Sequence, residues 1–428
     1  MRQNFSASFI VFLVALPLCL GIALASGVSP EKGVISGVIG GIVVGALGGA
    51  PLQVSGPANS LIVIVAEAVK DIGLEGLGLA VCLAGALQIF AGGVGAGRLA
   101  KLFPPIVTKG LMTGFAILIF ASQAHVMLDA RPHASFMENI RTIPEVFVDK
   151  MGFLGSSTIP WGPLIGIGSF VFLLGMQGFQ SRIGGVLKKI PPALIVVAVA
   201  TLIATVWNLP LKRVHVPDQL MDDFSFPSLS QWMGSINFLI LEVALTIFFL
   251  ASTESLLSAS AIDQMKEGHT TNYSRELMAQ GIGNILCGLV GAVPIAGVVI
   301  RSTANIASGA TTRASSIFHG VWLLAMVGIF PFILDDVPMS ILGAILVFSV
   351  LKLINLGQIN EMAKSDRWAW PMYLGTAVAV LTVNPMVGVG IGIGLQCAKS
   401  VYTSLNLGKV IPSHEEINIP ARVDQAGD

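Results

Sequence analysis

Two apolar segments of this chain break at corresponding places, and that restricts the possible folds more than any other feature. Gly45-Ala46-Leu47-Gly48-Gly49-Ala50-Pro51 and Gly288-Leu289-Val290-Gly291-Ala292-Val293-Pro294 carry Gly, Gly and Pro in the same order, each displaced by 243 positions. After Pro51 come a short extended piece, Gln53-Val54-Ser55, and then Gly56-Pro57, which opens a short helix ending near Lys70-Asp71. After Pro294 comes the β-branched run Val298-Val299-Ile300. Arg301-Ser302 then opens a segment, closed by Gly309, that is too short to cross a bilayer as a helix. Interrupted apolar segments in the two halves of a membrane chain point to the central site of a transporter.

Composition sets the class. Apolar residues make up 54%, charged residues 11% and mean hydropathy is +0.81, whereas a soluble domain carries about 25% charge. The chain is therefore a polytopic membrane protein. Its formal net charge of zero leaves no basic footprint for nucleic acid. Cys19, Cys82, Cys287 and Cys397 fall in apolar segments without paired spacing, as expected of buried thiols rather than disulfides or metal ligands. Arg2, an apolar run and Ala23-Leu24-Ala25 imitate a secretory signal. A first membrane span is expected instead, because cleavage would remove the first helix of a chain whose halves correspond.

A window of about 20 residues, enough to cross roughly 30 Å of hydrocarbon, gives fourteen segments. In the first half they are 8–26, 31–49, half-span 57–69, 74–96, 103–128, 161–179 and 190–208. After a polar loop at 209–235 come 236–262, 273–292, half-span 302–310, 314–334, 337–352, 368–384 and 386–404. The expected fold is an all-α polytopic membrane protein with fourteen transmembrane segments as a 7+7 inverted repeat, its half-helices (spans 3 and 10) each preceded by a short extended piece. An odd number of spans per half forces the inversion. With the amino terminus inside, fifteen Lys and Arg fall on the cytoplasmic side and seven outside, while Lys109 and Arg301 lie within the membrane. That bias predicts a multi-pass inner (plasma) membrane protein with both termini cytoplasmic. Gly33, Gly37, Gly41, Gly45 and Gly49 recur every four residues along span 2, and Gly388, Gly390, Gly392 and Gly394 repeat the device in span 14. Both sets are read as packing surfaces.

The breaks carry the chemistry. A helix that begins at mid-membrane leaves about four N–H groups without intrahelical partners and carries roughly half a positive charge at that end. Two such ends facing each other make an anion site. Ser55 or Ser302 can cap these helices, and Pro57 suits a first helical position. Arg301 adds a full charge, either as a direct anion contact or as a counter-ion to a nearby carboxylate. Glu254, near the middle of span 8 with Ser258 one turn later, is read as a proton carrier or sodium ligand; the alternative is a static salt bridge with Arg301. Glu242 and Glu67 sit nearer the interfaces and are weaker candidates. The six His show no ligand spacing, and no nucleophile motif or phosphate loop is present, so no enzyme, metal centre or cofactor is expected beyond a coupling Na+ or H+.

ALPLCLGIALASG in span 1, PLQVSGPANSLIVIV at half-span 3, ESLLSASAID in span 8, ELMAQGIGN opening span 9 and IRSTANIASGATTRAS together resemble the SulP family of anion transporters. The resemblance implies the inverted-repeat fold shared with nucleobase transporters. A core of residues 1–99 and 236–334 would move against a gate of residues 100–210 and 337–404 in an elevator-like stroke, commonly within a homodimer in the lipid bilayer. It also implies an anion site around Leu18 and Ile22, the backbone of Ser55, Gly56, Pro57, Ala58 and Asn59, and Val299, Ile300, Arg301 and Ser302. By analogy with sodium-coupled bicarbonate members, Glu254, Ser258 and Gly297, Val298 and Val299 would hold the coupling cation. Two departures stand out. Leu18 replaces the polar residue that many relatives carry after the span 1 proline. Residues 405–428 are expected to form a cytoplasmic tail without the family's usual STAS domain. The wording PLCLGIALASG favours bicarbonate as the small inorganic anion, with sulfate, or sulfate and chloride, as the rival substrate and an uncoupled anion channel as the reading from another class. A non-transporting scaffold would need no polar groups at the breaks.

Overall fold

A computed structural model describes residues 2–95, 105–133, 135–151, 159–179, 191–214, 237–265, 270–329, 336–351, 354, 356–366, 368–383 and 385–407. The polar loop expected at 209–235 lies outside the described residues from 215 on, and the expected tail lies outside them from 408 on.

Apolar runs of helical length fold as expected. The chain opens with α1 (Arg2–Ala25), whose Pro17 is accommodated inside the helix. Next comes α2 (Pro30–Ile39), which has proline in its first turn, where a missing N–H costs nothing. A π-helical turn, Gly40–Val44, and the short α3 (Gly45–Leu47) finish this second segment. Strand β1 (Ser55–Pro57) and a 3-10 turn, Asn59–Leu61, lead into α4 (Ile62–Gly93). Gly73, at φ 71 and ψ 178, breaks α4 into two pieces, a conformation open to glycine at little cost. The first half continues with α5 (Pro105–Met127), α6 (Phe136–Lys150), α7 (Trp161–Phe179) and α8 (Pro192–Val206). The second half runs α9 (Phe238–Met265), α10 (Tyr273–Leu289), β2 (Ile295–Gly297), α11 (Val299–Ala307) and α12 (Ala314–Ile329). It then continues through α13 (Met339–Leu351), α14 (Leu356–Ser365), α15 (Ala369–Thr382) and α16 (Pro385–Leu407).

Five stretches among the described residues are long and apolar enough to cross a bilayer: Gln3–Ala25, Pro30–Leu47, Asn59–Gly93, Lys109–Met127 and Phe238–Asp263. The molecule is a helical, multi-pass membrane protein.

Several boundaries differ from the sequence reading for identifiable reasons. The first half-helix begins at Asn59, not at Pro57, because Pro57 is the last residue of β1 and pairs with Ile295. Proline lacks an N–H and keeps its predecessor extended, which suits the end of a two-stranded ladder as well as a helix start. The second half-helix begins at Val299, so Ser302 sits beyond its first three residues and is no cap. The segments between spans 5 and 6 and between spans 12 and 13 contain the helices α6 and α14. In α6, Asn139 is buried while Met137, Ile140, Phe147 and Val148 are exposed. Such mixed composition averages out in a hydropathy window although its period is helical.

The longest packing contacts bind α4 to α10 and α9, while α5 packs against α15 and α13, and α13 against α7. The glycine row of span 2 faces its neighbours at backbone distance. A Cβ on Gly33 would lie 2.1 Å from the Cys19 carbonyl oxygen of α1, one on Gly41 2.7 Å from Cα of Gly320 on α12, and one on Gly49 2.0 Å from the Asn272 carbonyl oxygen. Span 14 does not repeat the device along its length. Added Cβ atoms at Gly388 and Gly392 would meet Val380 and Val107 at 2.4 and 2.2 Å, but Gly390 and Gly394 face open space. We therefore expect Gly33→Ala to destabilise the protein by about 1–3 kcal/mol through overpacking, read as a lower Tm in detergent. Gly390→Ala should leave Tm unchanged or raise it slightly, since alanine favours the helix.

Candidate functional site

The two breaks meet as an antiparallel two-stranded ladder. Ser55 pairs with Gly297, Gly56 with Ala296 and Pro57 with Ile295, and the Val298 N–H donates to the Val54 carbonyl at 3.0 Å, extending the ladder by one step. Ala58 (φ −117, ψ 140) and Val298 (φ −108, ψ 116) remain extended, and the half-helices start immediately after them. The helix bond from Ser302 N–H to Val298 O, 3.0 Å, opens α11 and leaves the N–H groups of Val299, Ile300 and Arg301 ahead of it. The first half-helix opens in the same way, with the Leu61 N–H donating to Ala58 O at 3.2 Å.

The two faces of α11 have different tasks. Its buried face binds the break. Ser302 Oγ accepts from Val54 N–H at 3.0 Å and donates to Val298 O at 2.7 Å, and Asn305 Nδ2 donates to Leu52 O at 3.0 Å. The other face, Ile300, Thr303, Ala304 and Ala307, lines a cavity of about 820 Å³. Ser6, Ile10, Val14 and Leu18 line it along three turns of α1, a run of about 18 Å at 1.5 Å per residue. Leu173 and Gln177 of α7, with Ile345, Phe348 and Ser349 of α13, form its far wall. Among the described residues its lining side chains are all uncharged. The cavity thus lies among α1, α7, α11 and α13, with Leu18 and Ile300 on its wall.

Arg301 does not line that cavity. Its side chain is fully buried and turns toward β1, where Nη2 donates to Pro57 O at 3.2 Å and Nη1 would lie 2.2 Å from a Cβ on Gly56. Only glycine admits it there. Nε and Nη1 have no hydrogen-bond partner, and among the described residues no carboxylate lies within 4.0 Å of the guanidinium. No direct Glu254–Arg301 bridge forms in this geometry, although the guanidinium still acts on the Glu254 carboxylate through its field. The cation stands one layer behind the half-helix starts with spare donors.

The Glu254 carboxylate instead accepts a short hydrogen bond from the Ser60 hydroxyl, in the first turn of the other half-helix. Ser258 Oγ, one helical turn on, is buried without a partner. Gly297 N–H donates to Ser255 Oγ at 2.9 Å, so α9 touches both breaks through residues of a single serine-rich turn. Of the remaining expected residues, Leu18 lines the cavity, while Ile22 is buried in the core and is absent from its wall. Ser55 and Ala58 are buried, Ser55 Oγ accepting from Gln280 Nε2 at 2.7 Å. Asn59 Oδ1 is buried without a partner, and Val299 is 37% exposed at the mouth of α11. Sequence reasoning missed Ser60 and Ser255. The one available signal was that each is a hydroxyl adjacent to a predicted break or carboxylate.

A model of the sulfate permease family matches residues 1–373. The chain is 28% identical over 401 residues to YvdB of Bacillus subtilis, provisionally named a sulfate transporter, covering 92% of this chain and 72% of that one. It is 25% identical over 412 residues to the bicarbonate transporter BicA of Picosynechococcus, covering 92% and 69%. The solved transmembrane domain of a cyanobacterial BicA superposes with a TM-score of 0.77 at 22% identity, over 91% of this chain and 97% of that one. At that identity the likeness speaks for the fold.

Removing the Ser302 hydroxyl strands a buried N–H at Val54. Ser302→Ala should cost about 1–3 kcal/mol of stability, measured as a lower Tm, and Ser302→Thr, which keeps the hydroxyl, should recover part of it.

Proposed function

Because the chain belongs to the sulfate permease family, we propose that it is a secondary active transporter of a small inorganic anion, most readily bicarbonate, coupled to H+ or Na+. The observation that carries this reading is the meeting of two half-helix starts behind the paired strands, with Ile300 of the second on the wall of a cavity and Arg301, which has no carboxylate within ion-pair distance among the described residues, directly behind. Each start contributes roughly half a positive charge. An anion placed there meets N–H donors from Ala58–Asn59 and Val299–Ile300, and Arg301 adds its field without a direct contact. Such a site selects charge and size before chemical identity. Sulfate therefore remains the second substrate reading, favoured by the name YvdB carries, as bicarbonate is by BicA.

Coupling follows from the cost of moving charge through lipid. An empty core holds Arg301 and Glu254 as separate, unpaired charges, each expensive at mid-membrane. An anion balances the first, and a proton or sodium ion on Glu254 balances the second. Ser60 hydroxyl, Ser258 hydroxyl and the backbone of Gly297–Val299 are the oxygens that would complete a sodium shell; Ser60 alone suffices to partner a protonated carboxyl. The loaded core then crosses as two neutral pairs. In this scheme the fourteen spans form a 7+7 inverted repeat in the inner membrane with cytoplasmic termini, as a homodimer. Residues 1–99 and 236–334 are the moving core and residues 100–210 and 337–404 the gate, and the cavity along their seam is the path to one side. The dense packing of α4 on α10 and α9, against the separate packing of α5 on α15 and α13, supports that division.

The test is uptake of labelled bicarbonate and of labelled sulfate into proteoliposomes with Na+ or H+ gradients imposed singly. Wild-type protein should accumulate one of them only with a gradient, and Glu254→Gln should abolish accumulation. Undiminished flux in Glu254→Gln would instead identify an uncoupled channel, and uptake of neither anion under any gradient would overturn the assignment.

A further inference from the structure

Behind the crossed strands, one face of α10 presents Glu276, Gln280 and Asn284, spaced by four and all buried, with Glu276 only 1% exposed. Asn284 behaves like a missing strand. Its Oδ1 accepts from Ile295 N–H at 2.8 Å and its Nδ2 donates to Ile295 O at 3.0 Å, so a side-chain amide completes both backbone bonds at the first residue of β2. Nδ2 also donates to Gln88 Oε1 on α4 at 2.8 Å. Gln280 Nε2 reaches the other strand, donating to Ser55 Oγ at 2.7 Å and to Glu276 Oε1 at 2.9 Å. Glu276 Oε2 accepts from the N–H groups of Gly49 and Ala50 at 2.9 and 3.0 Å, and Oε1 accepts from Gln53 Nε2 at 3.2 Å. The Gln53 amide fills the space beside Gly297, where a Cβ would come within 1.6 Å of it.

We propose that Glu276, Gln280 and Asn284 are positioning residues for the transported anion: a single helix face that sets the register of both strands and hence the spacing of the two half-helix starts. The proposal rests on the reading that the anion is held at those starts. The strands come from opposite halves of the chain and share few backbone bonds, so an outside reference is needed to hold their offset. Side chains anchored on one rigid helix supply it. Within this face Glu276 acts as a fixed anion. Four donors meet its carboxylate, and the two on Oε2 are backbone N–H groups that cannot turn away, so the ionised form satisfies them all, whereas a hydrogen on Oε2 would face those two N–H groups. Two cations cap the neighbouring carbonyls: Arg275 Nε, on the same turn, donates to Leu47 O at 2.8 Å, and Arg313 Nη1, just before α12, to Ala46 O at 2.7 Å. Glu254, by contrast, faces a hydroxyl that can donate or accept. The two buried carboxylates thus divide the work, one holding shape and the other exchanging an ion.

The experiment compares Glu276→Gln, Gln280→Met and Asn284→Leu with wild type in two measurements. Amide hydrogen exchange is followed without anion over residues 49–57 and 293–298. KM and Vmax are measured for labelled bicarbonate and labelled sulfate uptake in proteoliposomes. Faster exchange is expected over 49–57 for the first two variants and over 293–298 for Asn284→Leu. KM should rise about three- to tenfold, the scale of one or two neutral hydrogen bonds, with Vmax within about twofold. Unchanged exchange in both strands overturns the proposal, as does an unchanged KM with Vmax and Tm falling together, the signature of loosened packing alone. If wild type takes up neither anion, the exchange arm still decides whether the face positions the strands, and only the transport reading fails. Gln280→Met, close in volume to the residue it replaces, carries the same test if Glu276→Gln does not fold.

Discussion

A backbone N–H or C=O left unpaired in hydrocarbon costs several kcal/mol, and the two breaks at β1 and β2, where apolar helices give way to extended chain, bring many such groups together. The structure satisfies most of them locally. β1 and β2 pair with each other, Val298 adds one more bond to Val54, and side chains of α9, α10 and α11 take up the rest through Ser255, Asn284, Ser302 and Asn305. The groups left over are the opening amides of the half-helices. These cannot be paired within their own helices, and they point to where an anion would replace the missing acceptor.

Much of the surrounding packing follows from that need. Extended chain at mid-membrane survives only if protein covers it closely, and the second segment provides the cover. A Cβ on Gly40 would sit 2.5 Å from the Ser55 carbonyl oxygen, so the π-helical turn lies directly on β1, while the glycines on either side bring α1, α12 and the start of α10 to backbone contact. The polar residues required to finish the strands then fall on helices already held at the right distance. Charge obeys the same economy. Among the described residues the cavity walls carry no charge, and the cation that would attract an anion stands behind glycine at position 56, away from the lumen. A guanidinium in the wall itself would hold its own hydration and compete with the ligand. Set one layer back, it acts through its field.

The two intramembrane carboxylates illustrate how environment assigns a role. Glu254 has a hydroxyl partner and buried serine neighbours, so its protonation or its cation can change without stranding a donor. Glu276 Oε2 meets two backbone N–H groups, so a hydrogen placed there strands one. Residue type and burial are alike; the hydrogen-bond inventory separates them.

From the sequence alone, low charge and long apolar runs determined the class, because lipid admits little else. The Gly residues before Pro51 and Pro294, and those prolines, marked where the apolar helices break off, at Leu47 and Leu289, and the mid-span position of Glu254 marked it as a candidate site residue, since such a charge is costly. Those are local or one-dimensional constraints. What the sequence could not decide depends on partners far along the chain. Whether α11 begins at Val299 or Ser302 is settled by pairing with Val54, some 240 residues away. Whether Arg301 faces the cavity or β1 is settled by the space Gly56 leaves open. Ser60 and Ser255 have no pattern of their own, and glycines recurring every four residues pack throughout span 2, whereas those recurring every two in span 14 put Gly390 and Gly394 in open space. Side chains at one break find their partners on the other half of the molecule, and only the tertiary structure brings those halves together.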